Sequence, residues 1–280
     1  MRFPVLLAAS FVLLAACAAS AGDSAVRALA FDDLHIRVPD PAKAGEWYVK
    51  NLGATPTQSA NRVSFGRTLI IFTKAENAGP STVIDHFGLS VRDVDAKMKE
   101  LTAAGAKVLT PVKDTPGLFK LGFIEDPFRI KIEVVEDPDL LGFHHVHLRV
   151  PDPEATLRWY QEIFGGERGK LKGRIDGLRY GTIPEGIAGL GKTAKSAGAV
   201  WLLAARAEKL EPTADKVIYN LAFLVEDINQ TAMGLKSKGA KITREPRTTK
   251  VEGLDTGVAF AEDPYGVQIE LLQRPKQPKE

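Results

Sequence analysis

A stretch near the middle of the chain carries three side chains that could hold a metal ion or an anion. It runs from Gly142 to Pro153 and reads GFHHVHLRVPDP. Because side chains alternate between the faces of an extended strand, His145, His147 and Arg149 point one way and the apolar residues between them point the other. The Pro-Asp-Pro sequence that follows is typical of a turn into a helix, since aspartate caps helices and proline suits their first turn. The pattern predicts a strand with a ligand-binding face, followed by a helix.

The same pattern occurs 112 residues earlier, where Leu34 to Pro41 reads LHIRVPDP against VHLRVPDP at Val146 to Pro153. Three further pairs of segments match between the two halves of the chain: Trp47-Tyr48 with Trp159-Tyr160, 85–91 with 219–225, and 125–127 with 262–264. Internal repetition this close marks a duplicated unit. We therefore predict that the chain consists of four related modules.

Each predicted module is a strand, a helix and about three further strands. Aspartates at the helix starts and glycines just past the helix ends mark the helices. These residues are Asp40, Asp93, Asp152 and Asp227 at the starts, and Gly53, Gly105, Gly165 and Gly239 past the ends. Such a module has one apolar sheet face that it cannot bury alone. The sequence predicts an α+β fold in which four βαβββ modules pair into two curved, barrel-like sheets with the helices outside.

The N-terminus has the features of an export signal. A positive charge at the second residue is followed by an apolar run from Val5 to Ala16 and then by small residues, so we expect residues 1–21 to be the signal. Cys17, the only cysteine, follows a Leu-Ala-Ala sequence that resembles the lipobox of bacterial lipoproteins, in which the cysteine is lipidated. The alternative is an ordinary cut after Ala21, which removes Cys17. We expect an exported, periplasmic protein that touches a membrane only through a lipid on Cys17.

The rest of the chain is long enough for two domains, which we place at 30–137 and 142–274 with two modules in each. The formal net charge is +2 and both signs are interspersed along the sequence. A protein that follows a phosphate backbone needs a basic stripe. We therefore predict no nucleic-acid partner, and expect a monomer or a homodimer that binds a small molecule.

One motif could be interpreted as a nucleotide-binding loop. Residues Gly186 to Thr193 read GIAGLGKT, which fits the phosphate-loop pattern of nucleotide-binding proteins. That pattern requires a strand before the loop and a helix after it, whereas this segment lies in an insertion between strands that we expect to be antiparallel. We interpret the segment as a surface loop or lid.

The modules resemble those of the vicinal oxygen chelate superfamily, which includes glyoxalase I, the bleomycin resistance proteins and the type I extradiol dioxygenases. The resemblance rests on histidine in the opening strand, proline and aspartate before the helix, and Glu-Asp-Pro before a last strand that carries a carboxylate. The segment 262–270, EDPYGVQIE, is close to the family's hairpin pattern. The segment 125–133, EDPFRIKIE, follows it with Arg129 in place of the usual turn glycine.

The resemblance implies particular ligand positions. The first-strand ligand is His86 in the second module and His145 in the third, and the first and fourth modules carry Asp33 and Asn220 there. The last-strand carboxylate exists only as Glu133 and Glu270. If modules one and two pair, and three and four pair, neither sheet gathers two histidines and a carboxylate. If modules two and three pair, one sheet gathers His86, Glu133 and His145, which suits an open site for a divalent ion. One complete site beside one degenerate site is the simplest account, but the sequence does not fix which modules pair.

The resemblance therefore implies a metal-dependent enzyme that chelates adjacent oxygens of a small substrate. We expect one divalent ion, Fe, Mn, Zn or Ni, and a lyase, isomerase or ring-cleaving dioxygenase reaction. We expect Glu133 and Glu270 to be the catalytic carboxylates. The expected substrate pocket comprises six residues: Asp33, His35, Arg37, His147, Arg149 and Asn220. The alternative is a non-catalytic protein that binds a small molecule, as the resistance proteins of the family do.

Overall fold

The computed structural model of the chain describes residues 28–66, 68–181, 199–208, 211–251 and 253–276. The predicted signal with Cys17 and the glycine-rich motif at 186–193 lie outside the described residues. Among those residues, none of the helices has the length and apolar character needed to cross a membrane.

The described residues form sixteen strands and four α-helices in the predicted four-module order. Module one contains β1 (Ala28–Val38), α1 (Pro41–Leu52), β2 (Thr55–Pro56), β3 (Arg62–Phe65) and β4 (Thr68–Lys74). Module two contains β5 (Ile84–Ser90), α2 (Val94–Ala103), β6 (Lys107–Asp114), β7 (Lys120–Glu125) and β8 (Lys131–Val135). Module three contains β9 (Gly142–Val150), α3 (Pro153–Phe164), β10 (Glu167–Leu171), β11 (Ile175–Tyr180) and β12 (Val200–Arg206). Module four contains β13 (Ile218–Val225), α4 (Ile228–Ser237), β14 (Lys241–Val251), β15 (Leu254–Glu262) and β16 (Gln268–Gln273).

The helices begin where the sequence predicts. Asp40, Asp93, Asp152 and Asp227 each have extended backbone and accept a hydrogen bond from a backbone N–H in the first helical turn. These contacts pair N–H groups that the helix itself leaves without partners. After α1, Gly53 adopts a left-handed conformation with φ 75°, the conformation that favours glycine at a helix end.

Modules pair in a nested order, two with three and one with four. The inner-module sheet has the strand order β10-β11-β12-β9-β5-β8-β7-β6, and the outer-module sheet has the order β14-β15-β16-β13-β1-β4-β3-β2. Opening strands meet antiparallel at the middle of each sheet, β5 with β9 and β1 with β13. Each sheet is curved and open, and neither closes into a barrel. The predicted α+β fold is confirmed, and of the two pairings that the sequence left open the structure has the one that joins modules two and three.

Both sheets contribute to one apolar core. Phe87 of β5 stacks on Phe143 of β9 with ring centroids 5.5 Å apart, and Phe143 in turn contacts Phe31 of β1 at 6.0 Å. All three rings are at most 2% exposed. Burial of aromatic surface on this scale is a dominant stabilising contribution.

The duplication also repeats a buried polar contact. The hydroxyl of Tyr48 on α1 donates to Asp126 at 2.8 Å, and Tyr160 on α3 donates to Asp263 at 3.0 Å. Both aspartates also accept backbone N–H groups of their own hairpin turns. Burial raises the pKa of Asp126 to about 7 and that of Asp263 to about 6. The Glu-Asp-Pro motif therefore anchors each hairpin to the helix of a neighbouring module.

Candidate metal centre

Three of the predicted ligands converge on the inner-module sheet. His86 lies on β5, Glu133 on the adjacent parallel strand β8, and His145 on the antiparallel strand β9. Glu133 Oε2 lies 3.0 Å from His86 Nε2 and 3.1 Å from His145 Nε2, and the two nitrogens are 3.4 Å apart. His147, two residues further along β9, offers a fourth ligand atom within 4.8 Å of the others.

These separations match those between neighbouring ligands of one ion. With metal–ligand bonds of about 2.1 Å, adjacent ligand atoms lie about 3.0 Å apart in octahedral geometry and about 3.4 Å apart in tetrahedral geometry. The three observed edges fall within this range. Two imidazoles and a carboxylate are also a donor set that divalent transition metals bind. The residues present therefore fit the ion that the resemblance implies.

A carboxylate fixes the orientation of His86. Asp85 Oδ2 lies 2.6 Å from His86 Nδ1 and also accepts a hydrogen bond from Lys131 Nζ at 2.6 Å. With the Nδ1 proton donated to Asp85, the lone pair of Nε2 faces Glu133, and either a metal ion or a second proton can lie between the two atoms. Burial alone would lower the pKa of His86, but the hydrogen bonds to Asp85 and Glu133 outweigh it and raise the pKa. Asp85 and Glu133 therefore stabilise positive charge at His86.

A β-bulge supplies the corresponding partner for His145. The pairing of β9 with β5 shifts register between Gly88 and Leu89, so His144 is also fully buried beside His145. Their Nδ1 atoms are 2.7 Å apart, and His144 Nε2 lies 3.3 Å from Asp137. When His144 donates to Asp137, its Nδ1 accepts the proton of His145, which leaves His145 Nε2 as a metal donor. Strict alternation along the strand missed His144, and only its buried neighbours Asp137 and His145 identify it.

Gly88 makes room for His145. It lies opposite His145 in the sheet, and a Cβ there would overlap the imidazole, with even Nε2 only 2.7 Å away. In the outer-module sheet the equivalent residue is Ala222, which lies opposite Asp33. The larger ring of His145 therefore faces glycine, and the smaller carboxylate of Asp33 faces alanine. This pattern is visible only in the register between the strands.

Burial keeps the imidazoles of His145 and His147 neutral. It lowers the pKa of His145 to about 4 and that of His147 to about 3. Burial alone would raise the pKa of Glu133, but hydrogen bonds with His145 and His86 hold the pKa well below its ordinary value. His147 Nε2 is buried and has no hydrogen-bond partner within the described ranges. Neutral imidazole and ionised carboxylate are the forms that bind metal ions.

The outer-module sheet holds a second, different cluster. His35 Nε2 lies 2.9 Å from Asp33 and 3.1 Å from Glu270, and Asn220 Nδ2 donates to Glu270 at 3.4 Å. Burial alone would lower the pKa of His35, but the charge of Asp33 and hydrogen bonds to both carboxylates raise it well above its ordinary value. His35 Nε2 thus lies within ion-pair distance of two carboxylates, which favour the protonated form of the imidazole. The roles of these residues in a substrate pocket stay a prediction.

The two equivalent arginines have different surroundings. Arg37 lies over the ring of Tyr219 with its Cζ 3.6 Å from the centroid, whereas Arg149 is exposed on β9. Tyr219 also lies 3.2 Å from His35 Nδ1 through its hydroxyl. The predicted pocket residues are thus divided, with His147 at the metal centre, Arg149 at the surface and the others at the outer-module sheet.

Paired βαβββ modules with two histidines and a carboxylate on adjacent strands define a protein with a vicinal oxygen chelate fold. The chain belongs to the Glyoxalase/Bleomycin resistance protein/Dioxygenase superfamily, which it matches over residues 30–134 and 142–271. The predicted resemblance is confirmed.

Named relatives agree with this assignment. The chain is 31% identical over 188 residues to an Arabidopsis thaliana protein named "Probable lactoylglutathione lyase, chloroplastic". This match covers 65% of the chain and half of the relative's length. It is 32% identical over 129 residues to a "Probable lactoylglutathione lyase" of Vibrio parahaemolyticus, 46% of this chain and 88% of that relative. Glyoxalase I from Zea mays superposes with a TM-score of 0.65 over 87% of this chain and 92% of that chain. At 17% identity the last comparison shows the fold alone.

Proposed function

We propose that the protein is a metal-dependent enzyme of the glyoxalase type that holds one divalent ion at His86, Glu133 and His145. The observation that carries the proposal is the convergence of these three donor atoms within 3.4 Å of one another. Iron, manganese, zinc and nickel all accept such a donor set.

When bound, the ion supplies a Lewis acid for two adjacent oxygens of the substrate. The surrounding residues orient the ligands and contact the substrate. His86 and His145 present neutral Nε2 atoms because their Nδ1 atoms are held by Asp85 and His144. His147 Nε2 remains available to contact a substrate oxygen or to accept its proton. The buried surroundings strengthen each of these contacts by excluding water.

Among the reactions of the family, the relatives favour a lyase. Their name, lactoylglutathione lyase, denotes a substrate with a hydroxyl beside a thioester carbonyl, and those two oxygens are adjacent. We propose lactoylglutathione, or a chemically similar hydroxy thioester, as the substrate. Dioxygenase chemistry is the competing outcome, because the fold does not choose between reactions.

A pair of matched variants tests the site. Glu133 and Glu270 occupy equivalent last-strand positions, but Glu270 lies 3.1 Å from a histidine that is held between two carboxylates. We expect Glu133→Gln to lose the bound metal and lactoylglutathione turnover, and Glu270→Gln to retain the metal. Metal content is measured by elemental analysis after desalting, and turnover in the same preparations.

Equal metal loss in both variants would contradict the assignment. A folded wild-type protein that neither retains nor takes up any of the four metals would reject the enzyme hypothesis. In that case, ligand-induced thermal stabilisation that a chelator does not change would favour the non-catalytic binding protein.

We also propose that the protein is exported and carries a lipid on Cys17. The support is the sequence alone: an apolar N-terminal run, and a single cysteine directly after Leu-Ala-Ala. A terminus with two or more acyl chains anchors stably, whereas one chain binds a membrane only reversibly.

A further inference from the structure

A second binding site is suggested by a cavity that shares no residue with the metal centre. The cavity has a volume of about 260 Å³ and lies where the end of β1 meets the β7–β8 turn and the residue before β13. The residues that line it include Arg37, Phe128 and Arg129. Pockets for drug-sized ligands begin at about 300 Å³, so this cavity suits a smaller molecule.

Both arginines are held in place but lack an anionic partner. Arg37 Nη1 donates to the carbonyl oxygen of Lys216 at 3.1 Å, and Arg129 Nη2 donates to that of Ala78 at 3.2 Å. Neither guanidinium has a carboxylate within ion-pair distance among the residues that the structure describes. The charge of Asp215 acts on Arg37 from further away, and Asp215 itself lies 3.3 Å from Lys216 Nζ. A guanidinium has five N–H donors and pairs best with a carboxylate or phosphate, so donors remain for a ligand.

The two carboxylates of the cavity wall are engaged elsewhere. Asp40 caps α1 by accepting the N–H of Lys43, whose Nζ lies 3.4 Å from the same carboxylate. Glu76 lies 3.7 Å from Lys74 Nζ. With each carboxylate balanced by a lysine, the two arginines leave the cavity with an excess of positive charge.

The backbone at Arg129 is strained in a way that the repeat avoids. Arg129 has φ 70°, in the left-handed region that favours glycine, and the equivalent residue of module four is Gly266 with φ 80°. At Gly266 a Cβ would lie 2.8 Å from the Cβ of Pro212, so only glycine fits. At residue 129 a long cation is kept despite the strain. Strain of this kind concentrates at functional sites.

We propose that this cavity binds a small organic anion, with its carboxylate between Arg37 and Arg129 and its apolar part against Phe128. The inference does not rest on the proposed metal-dependent activity, because none of these residues belongs to the metal centre.

Benzoate and its neutral counterpart benzamide test the proposal. Binding to the full chain is measured by calorimetric titration in the presence of a chelator, so that benzoate cannot bind through a metal. We expect wild-type protein to bind benzoate and to bind benzamide at least about tenfold more weakly, because charge-assisted hydrogen bonds are the strong ones. Failure of the metal assay would leave this result unaffected.

Arg129→Gly is the informative variant, because it gives the turn its favoured residue while it removes one guanidinium. We expect benzoate binding to weaken about tenfold or more, with no decrease in the unfolding temperature. Arg37→Gln should weaken binding similarly. Arg92→Gln removes the same charge from an exposed position outside the cavity, and should bind like wild type.

Three results for the wild-type and Arg129→Gly proteins would overturn the proposal. They are the absence of benzoate binding to wild type up to ~10 mM, equal binding of benzamide, and unchanged benzoate affinity in Arg129→Gly. Loss of affinity in Arg92→Gln equal to that in Arg129→Gly would also overturn it, because binding would then follow net charge rather than this cavity.

Discussion

Replacing Gly88 by alanine should remove the metal site while leaving every predicted ligand in the sequence. The added Cβ would overlap the imidazole of His145, and even the third-nearest ring atom, Nε2, would be 2.7 Å away. Non-bonded carbon and nitrogen atoms prefer about 3.5 Å, so the ring has to move by about 1 Å or more. His145 is 1% exposed, so the ring cannot move without displacing the groups that bury it.

The size of the effect follows from what His145 contributes. Loss of a partner that merely orients a ligand weakens metal affinity 10–100-fold, so displacement of the ligand itself should weaken it about 100-fold or more, about 2.8 kcal/mol. Overpacking should also destabilise the metal-free fold by about 1–3 kcal/mol. Gly88→Ala should therefore still fold, with a lower unfolding temperature.

The matched control is Ala222→Gly at the equivalent place in the outer-module sheet. It should lower stability by about 1 kcal/mol through the added backbone freedom of glycine, without changing metal affinity. Affinity is measured by competition with a chromophoric chelator, and folding by circular dichroism. Wild-type metal affinity in a well-folded Gly88→Ala protein would refute the argument that His145 Nε2 is a ligand.

Three further predictions concern the rest of the chain. Burial raises the pKa of Asp126 from 3.8 to about 7. The stability that its protonated carboxyl contributes, at most about 4 kcal/mol, is therefore present below pH 4 and lost as the pH rises through 7. Urea unfolding should show Asp126→Asn gaining stability relative to wild type between pH 5 and pH 9. The raised pKa of His35 acts in the same direction, so His35→Gln should destabilise the protein more at pH 6 than at pH 10, and an equal loss at both would contradict a protonated His35. Cys17→Ser should accumulate as unprocessed or mislocalised precursor in a fractionation experiment; mature wild-type protein that is soluble and begins after Ala21 would refute the lipid anchor.

The parts of the fold that sequence could predict are those with local causes. A helix start at Asp40 or Asp152 depends on residues within four positions, and the 112-residue repeat makes the same pattern visible twice. The cluster of His86, Glu133 and His145 was predictable once the modules were paired, because the opening and last strands of each module carry those residues at fixed positions.

What sequence could not predict depends on contacts across strands. The bulge that buries His144 beside His145 depends on the register between β5 and β9. It cannot be recognised from the sequence of either strand alone. Arg37 and Arg149 share one motif, yet among the residues that the structure describes only Arg37 lies against a tyrosine ring. Tyr219 comes from a strand more than 180 residues away in the chain, which is beyond the reach of a local pattern.

The nested pairing has a consequence for the order in which the parts of the chain can fold. All strands of the inner-module sheet lie between Ile84 and Arg206, so this sheet and its metal centre can form without the last module. β1 of the outer-module sheet must wait for β13, and until then it is an unpaired edge beside β4. Exposed edges of this kind recruit other chains. A nascent or C-terminally shortened chain should therefore aggregate through its first module while its central half is already folded.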